Sequence, residues 1–166
     1  MSKKVLWAPW RMEYLRPEEK GEECIFCALP GQKDPREALI VDKGELVYTV
    51  LNKYPYNSGH LMIIPLEHKP SLSELSPKVH HALIDAAAVA MDVVQRALKP
   101  EGFNLGLNQG RAAGAGIPEH LHLHIVPRWS GDTNFMPVIS ETKSLPQHLM
   151  ATYDAIKENF QKKVKS

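Results

Sequence analysis

Several features that would assign this chain to a large class are missing. No apolar run approaches the roughly 20 residues that a membrane-crossing helix needs, so no span is expected. There is no surplus of one charge: 20 Lys and Arg stand against 19 Asp and Glu, a net charge of +1. A field that gathers phosphate backbones without regard to sequence is therefore lacking, and bulk nucleic-acid binding is excluded, although a local basic pocket is not. The N-terminus, MSKKVLWAPWRMEYL, has tryptophans, a proline and an arginine where a secretory signal needs an apolar stretch and a small-residue cleavage site, so a cytoplasmic location is expected. There are only two cysteines, too few for a disulfide framework, and no repeated or low-complexity tract.

What is present suits one ordinary domain. The chain has 166 residues, 43% hydrophobic and 23% charged, enough to bury a core without staples. Pro9 to Leu15 is expected to make no more than a short helical turn, and residues 28–37, with Pro30, Gly31 and Pro35, read as a loop. Ala38 to Val41 and Leu46 to Leu51 are short β-rich runs separated by Lys43-Gly44-Glu45, a hairpin pattern. His60 to Ile64 reads as a buried strand closed by Pro65, after the turn-rich bend NKYPYNSG. From Pro77 to about Leu98, Val79, Leu83, Ala86, Val89, Ala90, Val93, Val94 and Leu98 recur at three and four, which predicts a long helix. Phe103 to Leu107 and His120 to Val126 read as strands, and Pro146 to about Val164 as a C-terminal helix whose lysines suit its end. The expected class is α+β, an antiparallel sheet with a long helix and a C-terminal helix.

The loudest signal is His120-Leu121-His122-Leu123-His124. On a strand, side chains alternate, so the three imidazoles share one face while Leu121, Leu123 and Ile125 fill the other. A rise of about 3.3 Å per residue puts the outer two rings about 13 Å apart, too far for one metal ion to hold all three without a bend. The histidines must divide their work. A neutral imidazole can attack phosphorus or a carbonyl through one nitrogen if the other donates to a group that fixes its tautomer, and His122 has neighbours on both sides for that. Upstream, Asn108, Gln109, Gly110, Gly114 and Gly116 lie in a glycine-rich stretch that can bring backbone N–H groups close to an anion; read alone, it is equally an ordinary connection. Trp129, at the exit of the same strand, can stack on a nucleobase or pack in the core, and Arg128 beside it can meet a distal phosphate. Trp7 and Trp10 suit a core or a subunit contact. Cys24 and Cys27 offer two sulfur ligands to zinc, stay as unmetallated thiols, or form a redox pair; the last expects a helix after a strand, and Pro30 and Gly31 follow too soon.

HLHLHIV resembles the signature of the histidine triad superfamily of nucleotide hydrolases and transferases. SGHLMIIPLEH, at residues 58–68, is similar to the family's strand entering the active site, and CIFC to the amino-terminal zinc half-site of many members. The likeness covers about residues 22–135, within a single domain over 1–166 that has an N-terminal segment and a C-terminal helical extension. LWAPWRMEYL and NQGRAAGAGIPEHLHLHIVPRW resemble most the branch of dinucleoside tetraphosphate phosphorylases.

The resemblance implies that His122 attacks the α-phosphorus of a nucleotide and that His124 binds and polarises the phosphate, with His60 lining the same pocket. It places Asn52 on the ribose hydroxyls, although that side chain can equally close its own turn. It nominates His68 and His120 to complete a closed, structural zinc site with Cys24 and Cys27. It implies an adenine dinucleotide as substrate, inorganic phosphate or water as acceptor, and a homodimer. The alternative within the same class is a hydrolase of nucleoside phosphoramidates or dinucleoside polyphosphates, and a nucleotide-binding regulatory protein is the reading from another class. One departure stands out: many members carry a hydroxyl residue shortly before the first histidine, where this chain has Ile117-Pro118-Glu119, so leaving-group assistance must come from elsewhere, with Gln109, Arg111 and backbone amides as candidates.

Overall fold

Two runs of buried β-branched and aromatic residues, Ile40–Lys43 (β1) and Val47–Leu51 (β2), pair antiparallel through the Gly44 turn, with a bulge between Ile40 and Asp42. The computed structural model describes residues 23–132 and 147–163. The expected turn at Pro9 to Leu15, Trp7, Trp10 and Lys165 lie outside that range. Every residue of β2 is buried, and so is every residue of Leu61–Pro65 (β3), which pairs antiparallel with it from Val47↔Pro65 to Leu51↔Leu61. Gly102–Leu107 (β4) and Leu123–Arg128 (β5) complete a five-stranded antiparallel sheet in the order β1-β2-β3-β5-β4. The central pair is therefore β3 with β5, joined by Leu61↔Ile125, Met62↔His124 and Ile63↔Leu123.

The long helix spans Pro77–Leu98 (α2), with Pro77 in its first turn, where no backbone donor is needed. It ends at Lys99 in the left-handed conformation. Val79, Leu83, Ala87, Ala90, Val93 and Val94 are its buried positions; Ala86, Val89 and Leu98 are only half-buried, and Ala87 replaces them in the stripe. The stripe packs on β2, β3 and β5, and the C-terminal helix Leu149–Lys163 (α3) packs on α2 and on β1. There the Tyr153 hydroxyl donates to the Ile40 carbonyl at 3.0 Å and the Lys157 ammonium to the Val41 carbonyl at 2.8 Å.

Two expected boundaries move, with consequences for the site. The strand expected from His60 begins at Leu61, because Gly59 has a φ of +77° and turns the chain immediately before it. A Cβ at Gly59 would also come 2.5 Å from Leu98 Cδ1, so helix and bend meet there. The strand expected from His120 begins at Leu123, which pairs with Ile63 of β3 and with Leu107, the last residue of β4; His120 and His122 precede the ladder and only His124 lies in it. Cys24 caps a four-residue helix, Ile25–Ala28 (α1), that stops at the 3-10 turn Leu29–Gly31.

Candidate active site and metal cluster

The NKYPYNSG bend, the C-terminal end of β3, α1 and the start of β5 converge around four buried histidines: His60 and His120 with 0% and 1% exposure, His122 with 5% and His124 with 9%. Burial of imidazoles favours a hydrogen-bond partner for their enclosed nitrogens, and the partners present assign the tautomers. A main-chain N–H can only donate. The Tyr56 N–H meets His60 Nδ1 at 3.1 Å, so that nitrogen holds a lone pair and Nε2 carries the proton. His60 Nε2 then donates to His124 Nδ1 at 2.9 Å, which puts the proton of His124 on its Nε2. Carbonyls can only accept. His122 Nδ1 therefore donates to the His120 carbonyl at 2.8 Å, leaving Nε2 as its basic nitrogen. His120 Nε2 donates to the Pro65 carbonyl at 2.9 Å, leaving Nδ1 as its basic nitrogen.

His122 and His124 thus present the same nitrogen, Nε2, in opposite protonation states. The His122 and His124 rings lie 4.9 Å apart at 75°, one offering an unprotonated nitrogen and the other a ring N–H. Burial keeps both neutral: it pushes His122 below the ordinary imidazole value, and burial with the neighbouring His122 brings His124 to about 4. A neutral pair of this kind can attack an electrophile with one ring and hold an anionic oxygen with the other. Tyr56 lies over the relay, 4.5 Å from the His60 ring and 5.9 Å from His124.

His120 turns to the cysteines. Its Nδ1 lies 3.5 Å from both Cys24 Sγ and Cys27 Sγ, and His68 Nδ1 lies 3.2 Å from Cys27 Sγ. The four ligand atoms all fall within 4.8 Å of one another. Zinc bonds of about 2.3 Å to sulfur and 2.0–2.1 Å to nitrogen at a tetrahedral angle put S and N about 3.6 Å apart, so the donor set fits such an ion in number, softness and spacing. This cluster can bind a metal. His120 is buried, whereas Cys27 and His68 are exposed.

The remaining expected residues are placed unevenly. Asn52 Oδ1 accepts the Tyr54 N–H at 3.0 Å, closing its turn, while its Nδ2 lies 3.3 Å from His60 Nδ1, so it sits at the root of the relay. The loop Asn108 to Gly116 leaves β4 where Leu107 pairs with Leu123, beside the entry of His122. It is held by the 3-10 turn Arg111–Ala113, with Gly110 and Gly114 at φ of +82° and +84°. Gln109 is engaged elsewhere, its Oε1 accepting the Leu72 N–H at 3.2 Å. The structure does not bring Trp129 to the histidines. Five residues, about 16 Å of strand, separate it from His124; its Nε1 donates to the Lys99 carbonyl, and it lines a cavity of about 380 Å³ with Ser58, Leu98 and Gln147. Arg128 is paired with Asp132 and Asn104. Sequence reasoning overlooked Tyr56 and Phe26. The signal for Phe26 was an aromatic residue enclosed by two cysteines; Tyr56, which meets the relay through its backbone N–H and its ring, had none.

The HIT domain model matches residues 34–131. The chain is 41% identical over 154 residues to an AP-4-A phosphorylase of Mycobacterium tuberculosis, covering 89% of this chain and 79% of that protein. Among solved structures, a hypothetical histidine triad nucleotide-binding protein from Sulfolobus tokodaii is similar with a TM-score of 0.67 and 28% identity, covering 84% of this chain and 93% of that one. A zinc-bound histidine triad family protein from Mycobacterium smegmatis shares the fold, with a TM-score of 0.62 and 23% identity over 86% of this chain and 96% of that one. The matched segment holds all five strands and every histidine of the relay, and the chain belongs to the HIT domain family.

Proposed function

We propose that this chain is a nucleotidyl transferase that cleaves dinucleoside polyphosphates such as diadenosine tetraphosphate, with inorganic phosphate as acceptor and His122 as covalent nucleophile. The observation that carries the reading is the tautomer of His122. The His120 carbonyl accepts its Nδ1–H and so leaves Nε2 of the buried, neutral ring with a free lone pair, next to the ring N–H of His124. In the first step Nε2 forms a bond to the α-phosphorus and the bond to the bridging oxygen breaks, so ATP leaves and AMP stays on His122. In the second, a phosphate oxygen attacks the same phosphorus, the P–N bond breaks, and ADP leaves with His122 restored. The His124 N–H steadies the non-bridging oxygens through both steps, and the positive-φ glycines of the 108–116 loop give backbone donors room to approach them. Asn52 serves the ribose and Trp129 the distal nucleoside.

The 41% identity to an AP-4-A phosphorylase supports the substrate class. Zinc at Cys24, Cys27, His68 and His120 is supported by the spacing of the four donors and by the zinc-bound structural relative. Four protein ligands close the coordination, so the ion would cross-link α1 to β3 and β5 and take no part in bond making. A homodimer and a cytoplasmic location belong to the same proposal; among the described residues no helix is long and apolar enough to cross a membrane.

The experiment is incubation with diadenosine tetraphosphate, with and without inorganic phosphate, followed by separation of products. ADP and ATP in equal amounts, only when phosphate is present, are expected. AMP and ATP regardless of phosphate would make the chain a hydrolase; no turnover with tight nucleotide binding would make it a regulatory binder.

A further inference from the structure

The ring of Phe26 stands between the metal cluster and the nucleophile. It is 6% exposed, meets His120 edge-on at 5.6 Å and 86°, and leans on His122 at 5.0 Å and 58°. Its residue lies between Cys24 and Cys27, and its carbonyl accepts the buried Tyr48 hydroxyl at 2.7 Å, which ties the turn to β2. His122 precedes the β5 ladder, so strand pairing does not fix its backbone. Its ring is held by one hydrogen bond at Nδ1 and, on its flanks, by Phe26 and His124. A single hydrogen bond leaves an imidazole able to swing; the flanking rings remove that freedom.

We propose that Phe26 is a positioning residue: its ring, carried on the Cys24–Cys27 turn, aims His122 Nε2. The metal cluster then has a second consequence besides cross-linking, because whatever holds Cys24 and Cys27 also holds this ring. The inference rests on His122 as nucleophile for its kinetic arm, but its structural arm needs no substrate.

The test compares wild type with Phe26→Leu, which keeps apolar bulk but loses the flat edge, in protein carrying its natural metal content. Histidine-labelled NMR should show the His122 ring signals broadened or shifted while those of His60 and His124 hold, with the metal content unchanged. The kcat should fall by about tenfold to a hundredfold with KM within about threefold, because a misaimed nucleophile slows chemistry and not binding. Ile25→Ala, in the same turn and 56% exposed, should leave metal content and the His122 signals as in wild type. Phe26→Met serves if the leucine variant does not fold. If neither folds, the wild-type protein decides, through NOEs between the Phe26 ring protons and the His122 ring, whose absence overturns the proposal. His122 signals identical to wild type in a folded variant overturn it as well, whatever the activity. A wild-type protein that never carries a nucleotide on His122 would instead sink the functional reading and leave the ring-positioning result standing.

Discussion

His120 and His122 are two residues apart, equally buried and the same chemical species, yet they serve opposite ends of the site. The backbone makes the difference. The Pro65 carbonyl at the end of β3 accepts the Nε2–H of His120 and leaves the Nδ1 lone pair directed to two thiols; the His120 carbonyl accepts the Nδ1–H of His122 and leaves the lone pair on Nε2. A carbonyl oxygen beside one nitrogen or the other decides which nitrogen of an imidazole keeps its lone pair, and therefore where that lone pair points. His124 shows a third arrangement, in which another histidine sets the tautomer.

The comparison breaks most sharply at His122. His122→Ala should lower turnover by about a thousandfold or more, since the covalent route is lost, while nucleotide affinity measured by calorimetry stays within a few-fold. His122→Gly should regain part of that rate with added imidazole. Wild-type turnover in the alanine variant would end the nucleophile reading.

His120→Ala should behave differently. Metal analysis should fall from about one zinc per chain in wild type to a small fraction of that, and the unfolding free energy should drop by about 1–3 kcal/mol even without metal, because the buried Pro65 carbonyl loses its donor. Equal metal content in both proteins would separate the cysteines from the triad.

Acid should act on the relay. An unfolded imidazole takes its proton near 6.5 but the folded His124 only near 4, so between these values the unfolded state binds more protons and stability falls as pH falls. A loss of about 2–3 kcal/mol between pH 6.5 and 4 is expected from denaturant titrations, and His124→Gln should flatten that slope. An unchanged slope would show that the ring is charged in the fold.

The smallest effect is expected far from either end. Arg36 and Asp154 form a 2.8 Å ion pair with both side chains about half exposed, and Arg36→Ala should leave thermal unfolding, kinetics and metal content close to those of wild type. A larger loss in thermal unfolding would mean that α3 steadies the site through β1.

Much of the fold was legible because burial imposes a period. The stripe along α2 and the β-rich runs of β1 to β3 repeat at the spacing their elements require. Where pairing rather than periodicity sets a boundary, reading failed: HLHLHIV alternates like a strand from its first histidine, but the ladder starts three residues later, where β4 ends at Leu107, and the Leu121 N–H before it donates to the Lys69 carbonyl instead. Alternation also said nothing of Ala87, which joins the core in place of larger neighbours because of where α2 crosses the sheet and α3.

For the site, the sequence alone determined which groups are available: three imidazoles in alternation, two thiols three residues apart and a glycine-rich loop, together with the impossibility of one ion holding all three rings. Only the tertiary structure decided what each does. The tautomers depend on partners that folding positions: the Pro65 carbonyl for His120, Tyr56 and His60 for His124, and for His122 the His120 carbonyl two residues away. Such partners are backbone atoms or ring faces brought together by folding, and no spacing in the sequence encodes the direction of a hydrogen bond.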